Sequence, residues 1–230
     1  MENNQKYVEF VEHNIANRNE IIPLDLYLKT IKASAFSEKE MYRSYYSFDI
    51  EFANYVEEHN SVKDYDGIMF LDTIILDIDK GTMPCDEFKM HVEDCINTIR
   101  ELGVQNEHIN IWFSGNGYHV ELLNVFGFTP NTKLNETVKF TLQKHFSFAD
   151  NIYDKTRIIR SPWSYNSKSK LHKIFIPHDL FYMFSTEHFV EAAQDKETYT
   201  EFNQNFETLF KNFTVEPHLN HLIVEKEIKV

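Results

Sequence analysis

The stretch Thr73-Ile74-Ile75-Leu76-Asp77-Ile78-Asp79-Lys80-Gly81 constrains this chain more than any other. Ile74, Ile75, Leu76 and Ile78 form the β-branched, apolar run of a core strand, and Gly81 ends it. Side chains alternate across a strand, so Asp77 and Asp79 project from the same face. Two like charges side by side at the end of an apolar strand repel each other and cost stability. A divalent cation removes that cost, and hard carboxylate oxygens on rigid backbone suit Mg²⁺ or Mn²⁺. A solvated pair at a strand exit is the competing reading, and the pair alone does not decide between them.

The flanking pattern predicts one α+β unit over residues 1–230, with an N-terminal part (1–60), a core (68–176) and a helical tail (180–230). Tyr7, Phe10, Val11 and Ile15 fit a short helix before a break at Pro23. Ser37-x-x-Glu40 reads as a capping box, and Met41, Tyr45, Phe48, Phe52 and Val56 follow at helical spacing, which predicts a helix over about 38–59. Past the organising strand, Pro84 suits a first helical turn. Phe88, Val92, Cys95, Ile96, Ile99 and Leu102 share one face, and Gly103 caps the end. A strand at Ile109–Phe113, a turn at Ser114-Gly115-Asn116-Gly117 and a strand at Tyr118–Leu123 read as a hairpin. Val138, Leu142 and Phe146 predict a helix over about 133–147. Short strands, Arg157–Ile159 and His172–Ile176, flank a polar loop, Ser161 to Lys170. Two helical patterns follow, one around Phe189-Ala192-Ala193 and one through Phe202, Phe206, Leu209, Phe210 and Phe213.

Charge narrows the function. A formal net charge of −13 argues against broad electrostatic capture of nucleic acid. Yet Lys155, Arg157, Arg160, Lys168, Lys170 and Lys173 crowd one segment with no acid among them, a distribution suited to local phosphate contact. Twenty Phe and 12 Tyr predict an aromatic core. No apolar run has membrane-spanning length and the N-terminus is polar, so no membrane role and a cytoplasmic setting are expected. Cys85 and Cys95 fit neither a disulfide framework nor a zinc site, and helix burial is the expected fate of both. There is no Gly-x-Ser-x-Gly elbow around Ser114 and no Walker A loop, which excludes those hydrolase and NTPase classes.

Four elements remain to be explained together: Asp77-x-Asp79, Ser114-Gly115-Asn116-Gly117-Tyr118-His119, the acids Asp150 and Asp154, and Arg157-x-x-Arg160-x-Pro162-x-Ser164. In this order they resemble the archaeo-eukaryotic primase (AEP) superfamily, the primase-polymerases. That family carries a hydrophobic-Asp-hydrophobic-Asp strand, a Ser-Gly-x-Gly-x-His turn and a third acid before an Arg-Leu-Ile-Arg-x-Pro-x-Ser segment. Tyr165-Asn166-Ser167-Lys168-Ser169 is similar to the family's Leu-His-Gly-Lys-Thr, with Asn166 in place of the histidine. The likeness covers roughly residues 68–176.

The resemblance implies an RRM-like, mainly antiparallel sheet flanked by helices. It implies template-directed nucleotidyl transfer on single-stranded DNA with two Mg²⁺ or Mn²⁺ ions. Asp77, Asp79 and a third acid would hold the metals. Asp150 lies at about the ligand's place, and Asp154 is the alternative. Ser114, Gly117 and His119 would meet the triphosphate of an NTP or dNTP, with Arg160 and Lys168 neutralising it and Ser164 and Asn166 adding hydrogen bonds. Arg157 and Lys170 are second choices, and Trp163 and Tyr165 are candidates for stacking on a base. No cysteine lies between His119 and Asp150, so the zinc module of many cellular primase subunits is absent. Initiation would then call on a replicative helicase or an accessory primase domain. A metal-dependent nuclease and a non-catalytic single-strand-binding subunit are the rival readings.

Overall fold

The computed structural model describes residues 5–203 and 217–224. The chain opens with β1 (Tyr7–Glu12), β2 (Glu20–Pro23), α1 (Leu24–Ala33), β3 (Met41–Ser44), β4 (Ser47–Phe48) and α2 (Ile50–His59). The middle contains β5 (Met69–Phe70), β6 (Thr73–Asp79), α3 (Cys85–Glu101), β7 (Ile109–Phe113), β8 (Gly117–Leu123) and α4 (Leu134–His145). Next come β9 (Ile158–Arg160), β10 (Tyr165–Asn166), β11 (Leu171–His172) and β12 (Ile174–Ile176), then α5 (His178–Met183), α6 (Thr186–Ala192) and α7 (Lys196–Phe202). The class is α+β, and every strand pair among the described residues is antiparallel.

Two predicted helices are corrected. Tyr7, Phe10 and Val11 lie in β1, which is buried on both faces from Val8 to Val11. A doubly buried strand loses its apolar alternation, and its sequence then imitates a helical stripe. The helix predicted from residue 38 begins only at Ile50, where the Asp49 carboxylate accepts from the Glu51 amide. Met41–Ser44 instead pairs with β1 and β9, so long-range pairing overrides local spacing. Glu40 is no capping residue; its carboxylate accepts from the Ser167 amide and hydroxyl. The other predicted helices appear, and α3 contains both free cysteines, Cys95 buried and Cys85 half-buried. Of the last pattern, Phe206, Leu209, Phe210 and Phe213 lie outside the described residues.

Two sheets frame the site. One has the order β5-β4-β1-β3-β9 with β2 added to β1; the other is β12-β7-β8-β6. The second sheet's apolar face carries Ile78 beside Tyr118, and that tyrosine meets Phe88 of α3, Phe181 of α5 and Phe189 of α6. Helices therefore cover this face, and the residues between (Asp77, Asp79, His119, Glu121, Trp112) occupy the opposite one. β6 ends the sheet, so its outer edge needs partners. The Tyr45 hydroxyl accepts from the Ile75 amide at 3.0 Å, and the Asp150 amide donates to the Asp77 carbonyl at 2.8 Å. Among the described residues, no helix is long and apolar enough to cross a membrane.

Candidate active site

The acids meet because β6 is an edge strand. Asp77 stands opposite His119 and Asp79 opposite Gly117, so both carboxylates leave the sheet on the His119 face. The main-chain bond from Asp150 to Asp77 brings a third carboxylate beside them, close enough for its charge to act on both. Asp154 points elsewhere: its carboxylate is 70% exposed and lies 4.0 Å from Lys139 Nζ. Of the two sequence candidates, the fold gathers Asp150 and leaves Asp154 aside.

Burial, with Asp79 and Asp150 adding to it, pushes the Asp77 carboxyl up to about 6, against the pull of Lys173 and Arg157. Asp79 is raised for the same reasons, burial first and Asp150 second, with Arg157 opposing. Arg157 thus faces the acids more directly than its place as a second choice implies. Gly117 makes room for Asp79: a Cβ there would come within 2.6 Å of the Ile78 carbonyl and 3.0 Å of Asp79 Oδ1. That close approach, rather than an unusual φ, explains the second glycine of the turn.

His119 is buried, with Nε2 3.4 Å from Asp77 Oδ1. Burial, then the charges of Lys173 and Arg160, hold this imidazole well below its ordinary value, so a neutral ring faces the carboxylate and the contact is not an ion pair. Among the described residues its buried Nδ1 meets no hydrogen-bond partner, and the same holds for Ser169 Oγ. Ser169 packs directly on the turn, since a Cβ on Gly115, where φ is +94°, would come within 2.4 Å of that oxygen. Unpaired buried polar atoms beside the Gly-rich turn and the Asp77 carboxylate are groups a polar ligand would satisfy.

The remaining candidates are placed as follows. The Ser114 amide and hydroxyl both donate to the Gly117 carbonyl, at 2.9 and 3.1 Å, which closes the turn. Arg160 lies against the Tyr42 ring (5.3 Å) and donates to the Tyr165 carbonyl, so its guanidinium is held before any ligand arrives. The Ser164 hydroxyl is fully buried and donates to the Ser161 carbonyl. Asn166 Oδ1 accepts from the amides of Lys168 and Ser169 and so shapes the loop tip. Lys168 and Lys170 are exposed on that loop. Trp163 is 1% exposed and packs edge-on against Trp112, which removes it as a surface for stacking a base.

Motif reading overlooks Glu121 and takes Lys173 only as one more residue of the basic segment. Lys173 is fully buried and donates to Glu121 Oε1 at 3.0 Å and to the Arg160 carbonyl at 3.2 Å. Glu121 interrupts the apolar strand run Val120-Glu121-Leu122 and Lys173 directly precedes the apolar run Ile174-Phe175-Ile176, and that opposite-signed pair was the available signal. The donor set fits a hard divalent cation, since the gathered ligands are carboxylates whose repulsion an ion would relieve. Among the described residues, no three His, Cys, Asp or Glu side chains already stand close enough to enclose one. Comparison of the chain with protein-family models and with curated proteins gives no match.

Proposed function

We propose that this chain is a metal-dependent nucleotidyltransferase, a DNA primase or primase-polymerase that builds short primers on single-stranded DNA from nucleoside triphosphates. The observation that carries the reading is the convergence of Asp77, Asp79 and Asp150 beside a buried, neutral His119, with the charges of Arg157 and Arg160, from a segment rich in basic residues and free of acids, acting on the same groups. The order of the four motifs and the antiparallel sheet that bears the first two support the finer reading of an RRM-like primase-polymerase core.

Asp77, Asp79 and Asp150 would hold two Mg²⁺ or Mn²⁺ ions. When bound, such ions neutralise charge at the attacking 3′-oxygen and at the leaving phosphate oxygen. The protein's own share is positioning. A neutral imidazole has one N–H to donate and one nitrogen to accept, so His119 can bond a phosphate oxygen without adding a charge that would compete with a cation at Asp77. Arg160, held by Tyr42 and Tyr165, offers a fixed guanidinium to the same triphosphate. Arg157 and Lys168 add positive charge at the mouth. Gly117 keeps the approach to Asp79 clear. A single-stranded DNA template is the expected partner, and a helicase or accessory domain would aid initiation.

A nuclease could use the same carboxylates but has no need of a triphosphate-binding turn. Incubating an end-labelled, primed single strand with Mn²⁺ and nucleotides separates the two. Extension of the label supports the polymerase, and shortening replaces it with the nuclease.

A further inference from the structure

Lys173 has no solvent exposure, and the reaction as described above makes no use of it. Burying an ammonium is costly, and a sequence that keeps one there needs a compensating arrangement. The arrangement is specific. The side chain reaches Glu121 Oε1 of β8 and the Arg160 carbonyl of β9, while the ammonium lies 5.1 Å from the centre of the Trp112 ring. The main chain of the same residue is tied to the basic loop, its amide donating to the Ser164 carbonyl at 3.0 Å and its carbonyl accepting from Trp163 at 2.8 Å. Trp163 sits at φ +55°, a left-handed conformation costly for a bulky side chain and kept only where neighbours enforce it.

One residue therefore bonds three times to the 160–164 segment and once to the strand that carries His119. Glu121 is two residues from His119 and on the same face of β8. The four-stranded sheet holds Asp77, Asp79 and the imidazole; β9, in the other sheet, ends at Arg160. We infer that Lys173, through Glu121, is a positioning residue: a strut that fixes Arg160 at a set distance from His119, so that both can grip one nucleoside triphosphate. The inference rests on the nucleotidyltransferase reading and adds to it the device that holds the two halves of the phosphate site in register.

Lys173→Met alone leaves the half-buried Glu121 without its cation, so it lowers both stability and activity, and the double variant separates the two effects. In Lys173→Met/Glu121→Leu both charges go, and replacing a buried pair by apolar groups commonly restores stability. The expected result is a melting temperature near the wild type's with a KM for nucleotide raised about ten-fold or more and kcat altered less, as misplacement of a binding group predicts. A double variant that regains stability and wild-type KM together overturns the strut. A second measurement needs no variant. Hydrogen exchange on the wild-type chain should find the Trp163 and Lys173 amides protected before nucleotide and Mn²⁺ are added, and unchanged after. Protection that develops only with nucleotide would mean the connection is not preset, and would overturn the inference as well. Wild-type protein that incorporates no nucleotide refutes the functional reading, while the exchange result still reports on the strut itself.

Discussion

Replacing Asp77 by asparagine should make the metal-free protein more stable while destroying its chemistry. The Asp77 carboxyl is 17% exposed and is raised from an ordinary 3.8 to about 6 by burial and by the charges of Asp79 and Asp150. A folded-state value above the unfolded one means the folded protein binds the proton more tightly. The associated stability is complete below about pH 4 and is lost as the pH rises through about 6. A rise of about 2 in pKa, at ~1.36 kcal/mol apiece, makes the ionised carboxylate cost roughly 3 kcal/mol at neutral pH. The asparagine amide would keep the shape and carry no charge. For a chain of this size, Asp77→Asn should therefore raise the melting temperature by about 5–10 °C at about pH 7.5 in chelator, by the usual scaling of ΔΔG with ΔTm. The gain should shrink to nothing near pH 4, where the wild-type carboxyl is protonated. Calorimetry at the two pH values checks both statements. A variant less stable than wild type at the higher pH, or a gain independent of pH, would refute the argument that burial and the neighbouring acids penalise the ionised carboxylate in the free protein.

Other outcomes follow from single contacts. Mn²⁺ should raise the wild-type melting temperature in a concentration-dependent way, and Asp77→Asn should abolish most of that rise. Gly117→Ala should displace Asp79, because the added Cβ meets the Ile78 carbonyl at 2.6 Å; loss of activity of about ten-fold or more with the fold retained by circular dichroism is expected. Tyr45→Phe removes the acceptor for the Ile75 amide on the β6 edge and should cost about 1–3 kcal/mol in chemical denaturation, the usual cost of an orphaned buried donor. Asp150→Asn should be inactive and Asp154→Asn active; the reverse would reassign the third acid. With few clustered basic residues, log K for a single-stranded template should fall against log salt with a slope on the order of −2 to −4, and a much steeper one would reveal an unrecognised basic surface.

The part of the site that lies on one strand was legible from spacing alone. Asp77 and Asp79 share a face because period-two alternation admits no other outcome, and the Gly-rich turn that faces them is a local hairpin. What spacing could not decide was set by distant segments. Asp150 beats Asp154 because its own amide closes the free edge of β6, a bond between residues far apart in the chain. β1 reads as helix because burial on both faces erases the alternation that marks a strand, and β3 because its pairing with β1 and β9 overrides a locally helical spacing. Lys173 looked like one more residue of a basic segment suited to phosphate contact, and only its burial against Glu121 and Trp112 separates it from exposed Lys168 and Lys170. Trp163, a candidate base platform by composition, is instead consumed by packing on Trp112.

Primer synthesis on a bare single-stranded template, with labelled ribo- or deoxynucleotides and either Mg²⁺ or Mn²⁺, tests the central claim most directly. Wild-type protein should yield short, template-dependent products in at least one nucleotide and metal combination. Asp79→Ala, folded to the same extent, should yield none. Products from Asp79→Ala, or an absence of incorporation by wild-type protein on both bare and primed templates, would contradict the account.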